Sequence, residues 1–304
     1  ILLEMIKKEK FKLFLIIFIF SLYGIRTILR NYDWKDPIRF YEKSLKYFPY
    51  SKILINNYAV SFAFNKKYDN ALYYFKKLYI LYPDEKKAIL GIAKSYFVIG
   101  NYNEAEKYYK KLLELDPSNS SALTDIAIIY YKNGDKKTSL ELIKKAIQSN
   151  KYYQPAYLFG GKIYYENKDY IMSEFLFNQS IKLNPEDEIS YFYLGNIYFK
   201  KGNLNLSLFY FLNAYKINPR NKEIILNIAK LYQLLRKYKE SIPYFEKLLK
   251  IEPNDIKILN DYAISLNEIG EKEKAIKILK DILKIDPSFK PARINLKIIE
   301  KNYN

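Results

Sequence analysis

The sequence predicts an all-α fold of stacked helical hairpins, on three observations. Prolines recur on one 34-residue grid, at Pro49, Pro83, Pro117, Pro185, Pro219, Pro253 and Pro287, with Lys151 at the single missed point. With each grid point taken as position 32 of a unit, positions 8 and 20 are always small, and positions 11 and 24 are mostly phenylalanine or tyrosine. Each unit also carries two runs of apolar residues at spacings of three and four, which is the pattern of two amphipathic helices joined by a turn. A fixed interval of this size means one supersecondary unit repeated along the chain.

From the N-terminus, residues 1–30 read as a basic flank followed by a hydrophobic helix. Lys7, Lys8, Lys10 and Lys12 precede Leu13 to Ile25, thirteen residues without a charge. Counting Phe11 to Leu29, with Lys12 and Arg26 snorkelling, gives roughly 28 Å of helix, near the lower limit for a bilayer. No small-x-small cleavage pattern follows. The segment is therefore read as an uncleaved single-pass anchor, ahead of a cleaved signal and of a buried first helix of an eighth hairpin. The four lysines on one side face Arg26, Arg30, Lys35 and Arg39 on the other, so orientation stays open. A start at Met5 leans toward repeats outside the cytoplasm, and a soluble cytoplasmic chain is the alternative.

Residues 31–51 read as a partial repeat. Asp33, Trp34, Lys35 and Asp36 followed by Ile38, Tyr41, Ser44 and Pro49 match the second half of a unit, with its second helix at 36–48 and a first helix at 18–31. Seven complete units of 34 residues then begin at Lys52, Lys86, Ser120, Gln154, Glu188, Lys222 and Ile256 and cover residues 52–289. Position 8 is Ala59, Ala93, Ala127, Gly161, Gly195, Ala229 and Ala263, and position 20 is Ala71, Ala105, Ser139, Ser173, Ser207, Ser241 and Ala275. Small residues at two matched points let helices approach closely, and large rings such as Tyr96, Tyr164, Phe177 and Phe211 fill the space between. Gly100, Gly134, Gly202 and Gly270 stand where the first helix must end in a left-handed residue. Residues 290–304 read as a C-terminal capping helix, because Lys297 occupies the small position and no further hairpin can pack there.

The stretches Asn101-Tyr102-Asn103-Glu104-Ala105 and Leu115-Asp116-Pro117, set in this register, resemble the tetratricopeptide repeat (TPR) family, and the resemblance covers 238 of 304 residues. It implies an α-α superhelix, the TPR solenoid, here with a hydrophobic helix at its N-terminus. The departures are local: Lys151 replaces a proline, Gly160 a large apolar residue, and Lys66, Lys168 and Arg236 the turn glycine. The family uses its first helices, at positions 2, 5, 6, 9, 12 and 13, to line a concave groove for a peptide or partner helix. That resemblance places Asn57, Lys94, Phe97, Tyr131, Phe159, Lys162, Tyr165, Phe192, Tyr193, Asn196, Phe199, Asn227 and Lys230 on the groove wall. The rings at position 12 can also pack against their own hairpin, so each has two readings. A terminal-carboxylate clamp found in some members maps here to Phe192, Asn196, Asn227, Lys257 and Asp261, and the acid at the last place argues against it.

Composition excludes most alternatives. Histidine and cysteine are absent, which removes histidine bases, thiol nucleophiles and zinc-finger ligation, and none of the nine glycines forms a nucleotide-binding loop. The chain is therefore read as no enzyme, with no cofactor and no metal. Its function is read as a protein-interaction scaffold that holds a partner polypeptide in the groove, tethered to a membrane through residues 11–29. The alternative is binding of acidic surfaces, nucleic acid or anionic membrane, through outer-face lysines such as Lys76, Lys77, Lys110, Lys111, Lys144 and Lys145. Nucleic acid is disfavoured as a partner: the groove positions carry seven lysines against five acids, a small part of the chain's net +18.

Overall fold

A computed structural model of the chain describes residues 2–301, with the side chains of 11–27 and 34–301. Among these residues there are helices and turns and no strand. After α1 (Leu2–Trp34) and α2 (Pro37–Tyr47) come the helix pairs α3 (Lys52–Phe64) and α4 (Tyr68–Leu81), α5 (Lys86–Ile99) and α6 (Tyr102–Leu115), α7 (Ser120–Lys132) and α8 (Lys136–Ser149), and α9 (Gln154–Glu166) and α10 (Tyr170–Leu183). The series continues with α11 (Glu188–Lys200) and α12 (Leu204–Ile217), α13 (Lys222–Leu234) and α14 (Tyr238–Ile251), α15 (Ile256–Glu268) and α16 (Lys272–Ile285), and ends at α17 (Lys290–Lys301). The chain divides into two compact units, Ile1–Asp135 and Lys136–Asn304, so that the third repeat gives α7 to unit 1 and α8 to unit 2.

Local chemistry sets the helix ends. Ser51, Asn119, Asp187, Asn221 and Asp255 each stand one residue before a first helix and accept a backbone N–H of its first turn, a cap worth about 1 kcal/mol. At the other end of each hairpin, Tyr82, Asp116, Asn218, Glu252 and Asp286 leave the helical region immediately before a grid proline, as the proline ring requires. The turn within each hairpin is also uniform. Gly100, Gly134, Gly202 and Gly270 have φ of 92°, 89°, 76° and 92°, and Lys66, Lys168 and Arg236 reach the same left-handed region at 59°, 63° and 56°. Both kinds close the same backbone bond: Lys67 N–H to Phe62 carbonyl at 2.9 Å in one, Asn203 N–H to Tyr198 carbonyl at 2.9 Å in the other. Missing glycines thus leave the turn shape unchanged.

Positions 8 and 20 are buried in all seven repeats. The rings at position 24, Phe75, Tyr109, Phe177, Phe211 and Phe245, are at most 4% exposed. What approaches the glycines of position 8 is a ring rather than a neighbouring backbone: a Cβ added at Gly161 or Gly195 would meet the Phe177 or Phe211 ring at 2.8 or 2.9 Å. Serines at position 20 donate to the carbonyl of the position-8 glycine, Ser173 to Gly161 at 2.9 Å and Ser207 to Gly195 at 2.8 Å, which ties the two helices of one hairpin together.

The N-terminal expectations need correction. No helix among the described residues is long and apolar enough to cross a membrane, so the single-pass anchor, its orientation and membrane association through residues 11–29 are not supported. The physical reason is length, since the charge-free run between Lys12 and Arg26 spans only about 20 Å against a hydrocarbon core of about 30 Å. The segment is not a separate first helix of a hairpin either. It belongs to one continuous α1, and its apolar residues from Phe11 to Ile25 are 43–72% exposed where exposure is given. The side chains of Lys7, Lys8, Lys10 and Arg30 lie outside the described residues. At the end of α1, Trp34 packs edge-on against Phe40 of α2 at 6.2 Å, and Asp36 caps α2 by accepting from Ile38 N–H at 3.0 Å. At the other end of the chain, α17 buries Ala292 and Ile299 and leaves Lys297 exposed.

Candidate functional site

All thirteen groove candidates lie on first helices, and none is fully buried. In unit 1, Asn57 on α3 accepts from the Asn56 amide at 3.2 Å. On α5, Lys94 is exposed and Phe97 packs edge-on against Tyr102 at 5.6 Å and Tyr109 at 6.5 Å, both on the second helix of its own hairpin. Tyr131 is half-buried on α7. A cavity of about 320 Å³ opens on this face between α3 and α5, lined among others by Val60, Ala63, Phe75, Leu90, Gly91, Lys94 and Val98.

In unit 2 the rings gather into a cluster. Tyr193 of α11 lies 5.0 Å from Tyr165 of α9, stacks on Phe177 at 5.0 Å and meets Phe192 edge-on at 5.7 Å. Tyr165 also packs on Tyr170 of its own hairpin at 5.7 Å, and Phe192 on Phe211 at 5.7 Å. Burial pushes the hydroxyls of Tyr165 and Tyr193 above the ordinary tyrosine range. Phe97 and Tyr165 thus brace their own hairpins, whereas Phe199 stays 44% exposed. Phe159, Asn196 and Asn227 are half-buried on the same faces.

The three lysines at position 9 have different surroundings. Lys162 sits 5.9 Å over the Tyr193 ring, and burial lowers its pKa, with the Asp187 charge opposing. Lys230 pairs with Asp261 at 3.7 Å. Lys94 is in no ion pair within 4 Å among the described residues. Burial raises the Asp261 carboxyl, with Lys230 opposing, and the last place of the carboxylate clamp thus holds an acid in an ion pair. Among the described residues no cluster of His, Cys, Asp or Glu could hold a metal ion.

Sequence reasoning did not anticipate that several lysines outside the groove are engaged with tyrosines. Lys111 lies 4.7 Å over Tyr79 and Lys247 lies 4.8 Å over Tyr215, each reaching back one repeat on the second helices, and Lys76 lies 5.1 Å over Tyr96. For the first two the signal was a separation of 32 residues between tyrosine and lysine, legible only once second helices are known to neighbour one another.

Models of the tetratricopeptide repeat match residues 87–119, 108–141, 155–187, 189–221 and 235–297, between them more than half of the chain. No curated protein matches it. Among solved structures, YrrB, described as a TPR protein with an unusual peptide-binding site, is similar with a TM-score of 0.57 and 18% identity over 64% of this chain and 100% of that one. PilF of Pseudomonas aeruginosa is similar with a TM-score of 0.57 and 19% identity over 68% and 95% of the two chains. PilW, described as a widely conserved type IV pilus biogenesis factor, gives 0.58 and 16% over 66% and 94%. At these identities the likeness is one of fold.

Proposed function

We propose that this chain, which belongs to the tetratricopeptide repeat family, is a non-catalytic scaffold that holds a partner polypeptide against the first-helix faces of its repeats. The observation that carries this reading is the surface of those faces. Half-buried rings and amides alternate there with open apolar side chains, among them Phe199 at 44%, Val60 at 49% and Val98 at 53% exposure, a mixture that fits a peptide's side chains and backbone together. The described peptide-binding relative of the same fold supports it. The outer lysines support the rival electrostatic reading less, since part of their charge is already engaged with tyrosines.

The test is co-purification with the full chain from its native source at 50 and 200 mM salt, comparing wild type with Phe199→Ala, Asn196→Ala and with Lys144→Ser, Lys145→Ser. The reading expects a discrete partner that survives the higher salt and is lost from the Phe199→Ala, Asn196→Ala variant. Capture that collapses between the two salt concentrations and follows the outer lysines instead would show that phosphate-like electrostatic contacts are responsible.

A further inference from the structure

We propose that the cavity on the first-helix face of unit 1 is a specificity pocket for a bulky apolar side chain of a polypeptide whose neighbouring residues are acidic. This deepens the reading that first-helix faces bind polypeptide, and rests on it.

The cavity owes its shape to one glycine. Gly91 stands at position 6 of the second repeat, where the other repeats have Asn57, Asp125, Phe159, Tyr193, Asn227 and Asp261. A Cβ at Gly91 would lie 2.4 Å from the Phe75 ring, so the ring of α4 occupies the place a side chain would take and becomes part of the pocket lining. Val60, Ala63, Leu90 and Val98 complete an apolar lining of about 320 Å³, at the lower end of the roughly 300–1,000 Å³ of ligand pockets. Such a lining takes an aliphatic or aromatic side chain.

Charge decides what flanks it. Lys87 and Lys94 both line the cavity, no carboxylate does, and neither lysine is in an ion pair within 4 Å among the described residues. Asp125 accepts a hydrogen bond from the Tyr109 hydroxyl at 2.8 Å, and burial raises its pKa, with that bond and the Lys94 charge opposing. The groove positions of unit 1 hold three lysines against one carboxylate, whereas those of unit 2 hold four against four, so the groove excess lies in unit 1, where two of its three lysines line this cavity. Lys87 and Lys94 are seven residues apart on one helix, about 10 Å along its axis, which matches carboxylates about three residues apart in an extended guest. Electrostatic complementarity of this kind selects partners and speeds their encounter.

The experiment selects random displayed dodecapeptides on the full chain and measures the enriched peptides by fluorescence polarisation. Enriched peptides should carry a large apolar residue with Asp or Glu within about four positions. The double reversal Lys87→Glu, Lys94→Glu, at exposed sites that leave the melting curve unchanged, should weaken them about tenfold or more and redirect a fresh selection to Lys- and Arg-flanked peptides. Val60→Glu should abolish binding of the acidic peptides. Selected peptides with no acidic enrichment, or an affinity indifferent to the double reversal, overturn the proposal. Peptides that respond to Phe199→Ala in unit 2 and not to these changes overturn it while leaving the general reading standing, and failure to enrich any peptide removes both.

Discussion

Replacing Gly195 by alanine sets two effects against each other. The residue sits inside α11, where an alanine is better than glycine by about 1 kcal/mol of helix propensity. The added Cβ, however, lies 2.9 Å from Cδ2, Cε2 and Cζ of Phe211, a ring only 2% exposed and packed edge-on against Phe192 at 5.7 Å. Overpacking of this kind costs roughly 1–3 kcal/mol. Any shift of the backbone also strains the Ser207 hydroxyl bond to the Gly195 carbonyl at 2.8 Å, a contact of about 1 kcal/mol. The balance is a net loss of roughly 1–2 kcal/mol, opposite in sign to propensity alone. Urea denaturation of the full chain followed by circular dichroism measures it. The double variant Gly195→Ala, Phe211→Leu should lose less than the sum of the single changes, with a coupling of at least about 0.5 kcal/mol. A Gly195→Ala chain as stable as wild type, or more so, would refute the packing argument.

Other outcomes follow from the same structure. Arg236→Gly relieves a left-handed residue at φ 56° and should raise stability by about 0.5–1 kcal/mol, read in the same denaturation experiment. Ala229→Leu overpacks a site with no exposed area and should cost roughly 1–3 kcal/mol or more, with hydrogen exchange rising first in the adjoining repeats. Burial holds the Lys162 ammonium below its ordinary pKa, so between the folded and ordinary values the unfolded chain binds more protons and stability rises with pH. Lys162→Met should therefore melt higher than wild type at neutral pH, and the difference between the two should shrink as the pH approaches the ordinary lysine value.

Much of the fold was legible because a repeat states its geometry several times over. The proline grid, the small residues at positions 8 and 20 and the glycines at the turn inside the hairpin are short-range chemistry, and the structure builds on all of them. What the pattern concealed depends on neighbours distant in sequence. Lys66, Lys168 and Arg236 adopt the turn that glycine favours because the surrounding helices fix it. Whether Phe97 and Tyr165 face a guest or their own hairpin turned on Tyr102 and Tyr170, which periodicity does not rank. Gly91 looked like any other helical glycine until the Phe75 ring was placed beside it. At the N-terminus, apolarity alone indicated burial in something, and the length between Lys12 and Arg26 proved too short for a bilayer.

Site-directed photocrosslinking tests the central claim most directly. A photoreactive phenylalanine analogue at Phe199 on the first-helix face, and in a separate chain at Phe209 on the second helix α12, samples two positions 44% and 55% exposed on the same repeat. Under native expression the account predicts discrete polypeptide adducts from position 199, retained at 200 mM salt, and none from position 209. Adducts from position 209 with none from 199 would place the partner on the opposite face and contradict it.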